Sequence, residues 1–112
     1  GWWSGSDILG DSSYLNTALS TSQNLNLSYG YLWWLNGKAS AMLPHSQMVF
    51  PQSFCPPGPA DMVSAMGKNG QILNIVPSQG LIVVRMGHNV DGSYVPTTFQ
   101  NNLWEKLNAV IR

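Results

Sequence analysis

The stretch SAMGKNGQILNIVPSQGLIVVRMG, residues 64–87, decides how this chain of 112 residues folds. Its runs QILNIV (71–76) and LIVVRMG (81–87) are apolar and flank the segment PSQG, which opens on Pro77. Such runs on either side of a turn that contains Pro and Gly are typical of a β-hairpin. The second run is apolar at nearly every position, which is typical of a strand covered on both faces. The sequence therefore predicts an antiparallel hairpin whose second strand is buried on two sides.

Two helices are predicted outside this hairpin. DSSYLNTALSTSQ (11–23) opens on good capping residues and has apolar residues at helical spacing, which predicts a short helix of about three turns. The segment VPTTFQNNLWEKLNAVIR (95–112) predicts a helix near 97–111 with Pro96 at its first position. Its apolar stripe is expected to lie across the sheet and consists of Phe99, Leu103, Leu107, Val110 and Ile111.

The predicted fold class is α+β, with about three antiparallel strands near residues 29–35, 63–76 and 80–87 and the C-terminal helix packed on them. The first strand is predicted from the aromatic run that ends in Asn-Gly. Between residues 37 and 61 five prolines rule out a regular element through most of the segment. That segment is too apolar for a disordered linker, so we expect it to pack against the rest of the chain.

Charge is scarce in this protein. Five Lys or Arg residues balance five Asp or Glu residues, and charged residues make up 9% of the chain. This composition argues against the broad cationic surface that nucleic-acid binding usually needs. A surface so poor in charge is unusual for a free-standing domain and suggests that another polypeptide covers part of it. The longest apolar run is broken by Arg85 and is too short for a membrane span.

Residue types alone indicate little chemistry. No H-E-x-x-H, Cys-x-x-Cys or phosphate-loop motif occurs in the sequence, so no metal or nucleotide cofactor is predicted. His45 and His88 are best interpreted as surface side chains, and Cys55, flanked by prolines, as a structural thiol that has no disulfide partner. The acidic residues Asp61, Asp91 and Glu105 are isolated from one another, and Glu105 is predicted on the solvent side of the last helix.

Two segments leave both a structural and a functional interpretation open. The aromatic run 29–34 could stack a ligand, although such density is more typical of a core. The segment Gly-Lys-Asn-Gly (67–70) could be a bulge or kinked strand entry, or it could place backbone amides around a substrate.

Several segments together resemble the C-terminal part of a serine β-lactamase-like hydrolase. They are GWWSGSDIL (1–9), YGYLWWLNG (29–37), the stretch 64–87 and the final amphipathic helix. The family includes class C β-lactamases, penicillin-binding-protein-related carboxypeptidases, esterases and amide hydrolases. The resemblance implies that residues 1–112 are one portion of a larger catalytic domain with a β-lactamase/transpeptidase-like fold. The start at Gly1, without a methionine, is interpreted as a cut, and a bacterial periplasmic or cell-envelope location is implied by the resemblance.

The family acts by acyl transfer through a serine in an S-x-x-K motif, which no serine of this chain provides. The resemblance therefore implies that the nucleophile and its base lie upstream. The family's third motif, K-T-G, aligns with Ala65, Met66 and Gly67. The backbone N–H of the following residue, Lys68, is implied to be an oxyanion-hole donor, and Asn69 is implied to line the substrate site with the three motif residues.

Two departures from the third motif bear on the substrate. Ala65 replaces the usual cation and Met66 replaces a hydroxyl residue, so the cation that holds the carboxylate of a β-lactam is missing. Strand alternation puts Met66 and Lys68 on one face, so Lys68 is expected to restore a positive charge two positions further along the chain. An ester, amide or peptide that carries less negative charge fits this pattern better than a β-lactam does.

The expected partners follow from these inferences. They are the upstream part of the same polypeptide and a small ester, amide or peptide. An isolated chain is expected to associate with itself through a bare sheet edge and through exposed apolar surface, namely Trp33, Trp34 and members of the loop 37–61. The alternative is a non-catalytic binding module derived from the same fold. An S-x-x-K motif followed by Tyr-x-Asn in the parent gene favours the hydrolase, and the absence of these motifs favours the module.

Overall fold

The computed structural model describes residues 2–88 and 92–111 and has an α+β fold. A four-stranded antiparallel sheet of order β3-β6-β7-β8 carries the last helix, and two two-stranded ladders, β1-β2 and β4-β5, lie outside it. The predicted class is confirmed, although the sheet has four strands rather than about three. In chain order the elements are β1 (Trp2–Trp3), β2 (Ser6–Asp7), α1 (Ser13–Ala18), β3 (Trp34–Leu35), β4 (Ala41–Met42), β5 (Val49–Phe50), β6 (Val63–Gly67), β7 (Gln71–Val76), β8 (Leu81–Arg85) and α2 (Thr97–Asn108).

The segment predicted as one strand over 63–76 is two strands joined by a tight turn. Residues Lys68–Gly70 form this turn, in which Asn69 has a φ of 65° and Gly70 a φ of 80°. These left-handed conformations reverse the chain, and β6 then pairs antiparallel with β7. Because β6 ends at Gly67, strand alternation does not place Lys68 on the face of Met66, and that prediction is wrong.

The hairpin around Pro77 is confirmed. β7 and β8 pair antiparallel, and the connection Pro77–Gln79 closes on Gly80 with a φ of 57°. The backbone N–H and hydroxyl of Ser78 donate to the Asp61 carboxylate at 2.6 and 2.9 Å. The bond from the backbone N–H is the main reason why the pKa of Asp61 lies below its ordinary value. The predicted strand over 80–87 is shorter in the structure and covers Leu81–Arg85.

The strand predicted over 29–35 is mostly a loop. Only Trp34–Leu35 is strand, and Leu32 has a left-handed φ of 65°, which breaks the extended chain. Trp34 is 6% exposed, and its ring packs edge-on against Tyr29 at 5.0 Å. The expectation that Trp34 is exposed is therefore wrong, while Trp33 is half-buried. This part of the aromatic run belongs to the core.

Helix α2 packs on the sheet through a polar residue and an aromatic one. Gln100 and Trp104 are its buried residues, and they lie one turn apart. The predicted stripe is wrong at its end, because α2 stops at Asn108 and Val110 is 73% exposed. Pro96 precedes the first helical residue rather than being one. Helix α1 is six residues long, shorter than the predicted three turns.

The proline-rich segment 37–61 packs down as predicted. Ala41, Phe54 and Cys55 from this segment belong to the same core cluster as Trp34 and Trp104. Its regular structure is the short β4-β5 ladder. Residues 53–59 are also held by hydrogen bonds to the side chain of the buried Asn36.

One face of the sheet is open. Side chains from Trp34, Ser64, Asn74 and Val83 share a register row on the face that α2 covers. The opposite face presents Ile82, Val84 and Met86, all of them exposed. The expectation that β8 is covered on both faces is therefore wrong for this chain alone. Across residues 2–88 and 92–111, no helix is long and apolar enough to cross a membrane.

Candidate active site

The candidate site lies at the C-terminal end of β6, which extends past the residues that pair with β3. β3 pairs with β6 only at Val63 and Ser64. Residues 65–67 continue the strand beyond β3, and in the described part of the chain no strand pairs with them on that side. A strand edge of this kind offers backbone N–H and C=O groups to a ligand. The three residues that align with the third motif are thus the three at the open edge.

The turn that follows β6 is accessible. Gly67, Lys68 and Asn69 are all exposed, whereas Gly70 is buried. Asn69 is left-handed, a conformation that Asn tolerates better than most residues do. The structure therefore brings the five predicted site residues, 65–69, into one continuous edge and turn.

The fold itself does not require a glycine at position 67. Its φ of −103° is an extended conformation that any residue adopts. A Cβ added there would meet the nearest atom, Cβ of Gln71, at 3.6 Å, an ordinary contact. A glycine that the chain's own packing does not need is consistent with close approach by something outside the chain.

Arg85 holds the turn in place, and sequence reasoning missed this role. Its guanidinium donates to the backbone carbonyls of Gly70 and His88, and it lies 4.7 Å from the centre of the Phe99 ring. Gln71 adds a bond from Nε2 to the carbonyl of Gly87 at 2.8 Å. The sequence did contain a signal for this role, namely a single arginine inside an apolar strand. A cation in that position needs hydrogen-bonding partners, because burying it without them is costly. Arg85 is a positioning residue, since it contacts the turn rather than the open edge.

Two clefts meet at the open edge of β6. The edge cleft, of about 410 Å³, is lined by Ala65, Met66 and Gly67 together with Leu32, Leu73 and Val84, among others. The aromatic cleft, of about 380 Å³, is lined by Tyr29, Trp34, Met42, Leu43, Met66 and Val95, among others. Tyr29 and Met66 line both clefts. Each volume falls within the range of small-molecule sites in proteins.

The remaining candidates for chemistry among the described residues line neither cleft. Burial raises the pKa of Cys55 to about 11, so the thiol is protonated at neutral pH and is a poor nucleophile. His45 and His88 are exposed, and the His45 ring lies 4.3 Å from that of Tyr94. Glu105 is exposed on α2, as predicted. Within the described ranges, no group of three or more His, Cys, Asp or Glu side chains could hold a metal ion. Asp91 falls outside the described residues.

Comparison of this chain with protein-family models, with curated proteins and with solved structures finds no match in any of the three. The motifs quoted above and the geometry of β6 are therefore the grounds on which a function can be proposed.

Proposed function

We propose that this chain is the C-terminal part of a serine hydrolase that catalyses acyl transfer on an ester, amide or peptide. The observation that carries the proposal is the open edge of β6 at residues 65–67, which leads directly into a turn whose first two residues, Lys68 and Asn69, are exposed. The residues that resemble the third motif of serine β-lactamase-like hydrolases occupy this edge. A substrate lying along it would have one cleft on each side.

In the proposed mechanism β6 binds and orients the reacting carbonyl group. A serine hydroxyl from the upstream part of the polypeptide attacks the carbonyl carbon and gives its proton to an upstream base. The backbone N–H of Lys68 donates to the oxyanion that forms, and the leaving group departs with a proton. A fixed donor of this kind lowers the barrier by about 3 to 4 kcal/mol, because it is already oriented where charge develops.

The side chains at the edge favour a substrate with little charge. Ala65 and Met66 offer neither a cation nor a hydroxyl group, and both line the edge cleft. Lys68 is exposed at the end of the edge, so its ammonium group stays in water. We infer that β-lactams, which carry a carboxylate, are poor substrates compared with neutral esters or amides.

The upstream part of the polypeptide is the proposed cover of the open sheet face. β8 has the apolar sequence of a strand buried on both sides, yet α2 covers only one side. β8 is also the last strand of the sheet order, so its outer edge has no strand partner in the described part of the chain. A further strand from the same polypeptide would form hydrogen bonds with the outer edge of β8, and further helices would cover the open sheet face.

The test uses the full-length parent protein and an activated p-nitrophenyl ester. Lys68→Ala should retain most of the acylation rate, because the donor is a backbone amide. Gly67→Ala should leave the stability unchanged, since its Cβ has room, but should lower acylation at least tenfold by blocking close approach. Asn69→Gly should be tolerated and Asn69→Pro should abolish acylation, because proline cannot adopt a φ of 65°.

Lys106→Ala is the matched control, since it removes an exposed lysine from α2. Full acylation by Gly67→Ala would contradict the placement of the substrate against β6. Loss of turnover in Lys68→Ala with substrate binding intact would assign catalysis to the side chain instead of the amide.

A non-catalytic binding module is the second candidate function. Its support is the lack of an S-x-x-K motif in a chain that nevertheless has two clefts at one strand edge. A parent gene without S-x-x-K and Tyr-x-Asn, together with a parent protein that binds esters without turning them over, would establish this alternative.

A further inference from the structure

The aromatic cleft has walls with a consistent chemical character. Tyr29 and Trp34 form a perpendicular ring pair at 5.0 Å, and Met42 and Met66 add flexible thioether side chains. Among the described residues that line this cleft there is no Asp, Glu, Lys, Arg or His. A charged group that entered the cleft would lose water without gaining a partner, and that loss is costly.

The side chains of Asn26 and Ser46, which line the cleft, already have partners within the chain. Asn26 donates from Nδ2 to the carbonyl of Met42 at 3.0 Å, and its Oδ1 accepts from the backbone N–H groups of Ser28 and Met42 at 3.2 Å each. The hydroxyl of Ser46 accepts from the backbone N–H of Met48 at 3.1 Å. The Asn26 amide and the Ser46 oxygen therefore stabilise the walls, and the other described lining side chains offer a ligand mainly apolar surface.

A ring contact ties together two segments that build the wall. His45 lies between Pro44 and Ser46, which both line the cleft, and its ring packs 4.3 Å from the ring of Tyr94. Tyr94 in turn precedes Val95, another lining residue. The contact connects residues 44–46 with the segment that contains Val95, and both segments belong to the wall of the cleft.

We propose that the aromatic cleft binds an uncharged aliphatic group of the substrate, of about four to eight carbon atoms. The catalytic meaning of this subsite rests on the proposed function, whereas binding to it can be measured on this chain alone. Met66 lines both clefts, so a group held in the aromatic cleft would continue onto the open edge of β6, where the reacting carbonyl is placed. The volume of about 380 Å³ is ample for such a group.

Binding is measured on the 112-residue chain by NMR of methionine methyl groups, with acetamide, butanamide, hexanamide and octanamide as ligands. The methyl signals of Met42 and Met66 should shift, and that of Met48, which is exposed and lines neither cleft, should not. Affinity should rise with each methylene group, by about fourfold at the limit of full burial. Hexanoate and hexylammonium, which have the same chain length as hexanamide, should bind at least tenfold more weakly.

Two variants and one control locate the site. Leu43→Trp should fill the cleft and Leu25→Asp should put a charge at its rim, where Leu25 is 76% exposed; each should weaken hexanamide binding at least tenfold. Ile8→Asp makes the same kind of change at a residue that lines neither cleft and is 67% exposed, and it should bind like the unchanged protein. Equal binding by Leu43→Trp, or equal binding of the charged ligands, would overturn the inference.

A second measurement separates this inference from the proposed function. In the full-length parent, kcat/KM for p-nitrophenyl esters should rise from acetate to hexanoate. Leu43→Trp should abolish that rise, whereas Ile8→Asp, at a residue that lines neither cleft, should preserve it. Turnover with no dependence on the length of the acyl chain would contradict the proposed subsite but would be consistent with the proposed hydrolase function. Suppose that the 112-residue chain binds hexanamide selectively and the parent protein shows no turnover. This result would contradict the proposed hydrolase function but would support ligand binding in the aromatic cleft.

Discussion

The side chain of Asn36 organises the proline-rich segment 37–61. Asn36 is buried, and its Nδ2 donates to the carbonyls of Cys55, Gly58 and Pro59 at 2.9, 3.0 and 2.9 Å. Its Oδ1 accepts from the backbone N–H of Cys55 and from the hydroxyl of Ser53. Backbone polar groups in a buried loop need such partners, because they have neither a helix nor a sheet to satisfy them.

Replacing Asn36 should destabilise the protein strongly. Asn36→Ala removes the acceptor of the buried backbone N–H of Cys55 and the donor to the carbonyl of Gly58, and we expect a loss of about 2 to 4 kcal/mol in the free energy of unfolding. Urea denaturation followed by tryptophan fluorescence measures this loss. Asn24→Ala, which removes the same side chain from an exposed position, should change the stability by less than about 0.5 kcal/mol. Equal stability of the two variants would show that the segment is held by other contacts.

At the scale of elements, a buried polar cluster sets the position of α2 on the sheet. Gln100 donates from Nε2 to Oδ1 of Asn74 at 2.7 Å, and Nδ2 of Asn74 donates back to Gln100 at 3.2 Å. The hydroxyl of Ser64 also donates to Asn74 at 2.8 Å. All three residues have no exposed surface. Apolar packing alone would allow α2 to shift along the sheet, whereas the hydrogen bonds of this cluster form at one position of the helix only.

A double-mutant cycle tests whether this cluster acts as a unit. Gln100→Leu and Asn74→Leu should each cost about 2 to 3 kcal/mol, because each leaves a buried amide without its partner. The double variant should be more stable than the sum of the two losses predicts, by at least about 1 kcal/mol, since neither amide is then left behind. Strict additivity in urea denaturation would mean that the two amides do not depend on each other.

At the scale of the whole molecule, the chain exposes more surface than its size requires. Its accessible surface is 7208 Å², compared with about 6,100 Å² expected for a compact protein of 12.3 kDa. Its radius of gyration is 14.4 Å, compared with about 13 Å expected for 112 residues. The open sheet face accounts for part of this excess. With 9% charged residues, little repulsion opposes association.

We therefore expect the isolated chain to associate through the open sheet face. Sedimentation velocity should show dimers or larger species at about 50 µM, and Val84→Lys should shift the population toward the monomer by placing a charge on that face. Val110→Lys is the matched control, because Val110 is an exposed valine in the segment that follows α2 rather than on the sheet. A monomer at every concentration would contradict this expectation, and so would an equal effect of the two lysines.

The sequence by itself determined the features that depend on local patterns. Pro77 between two β-branched runs specified the β7-β8 hairpin, and the periodicity after Pro96 specified α2. The same patterns predicted the α+β class. These predictions succeeded because turn chemistry and periodicity act over a few residues and need no distant partner. The assignment of residues 65–69 to a substrate site came from the family resemblance and stays a prediction.

Tertiary structure decided what depends on contacts between distant residues. The aromatic run has strand propensity, but Leu32 turns left-handed and Trp34 packs against Tyr29 and Phe54, so packing overrides propensity there. Gln100 is buried because Asn74, 26 positions away, accepts its hydrogen bond. The open edge of β6 exists because β3 begins only at Trp34, which pairs with Ser64, and no local pattern specifies that starting point. Such features depend on contacts between residues that are far apart in the sequence, and these contacts form only when the whole chain folds.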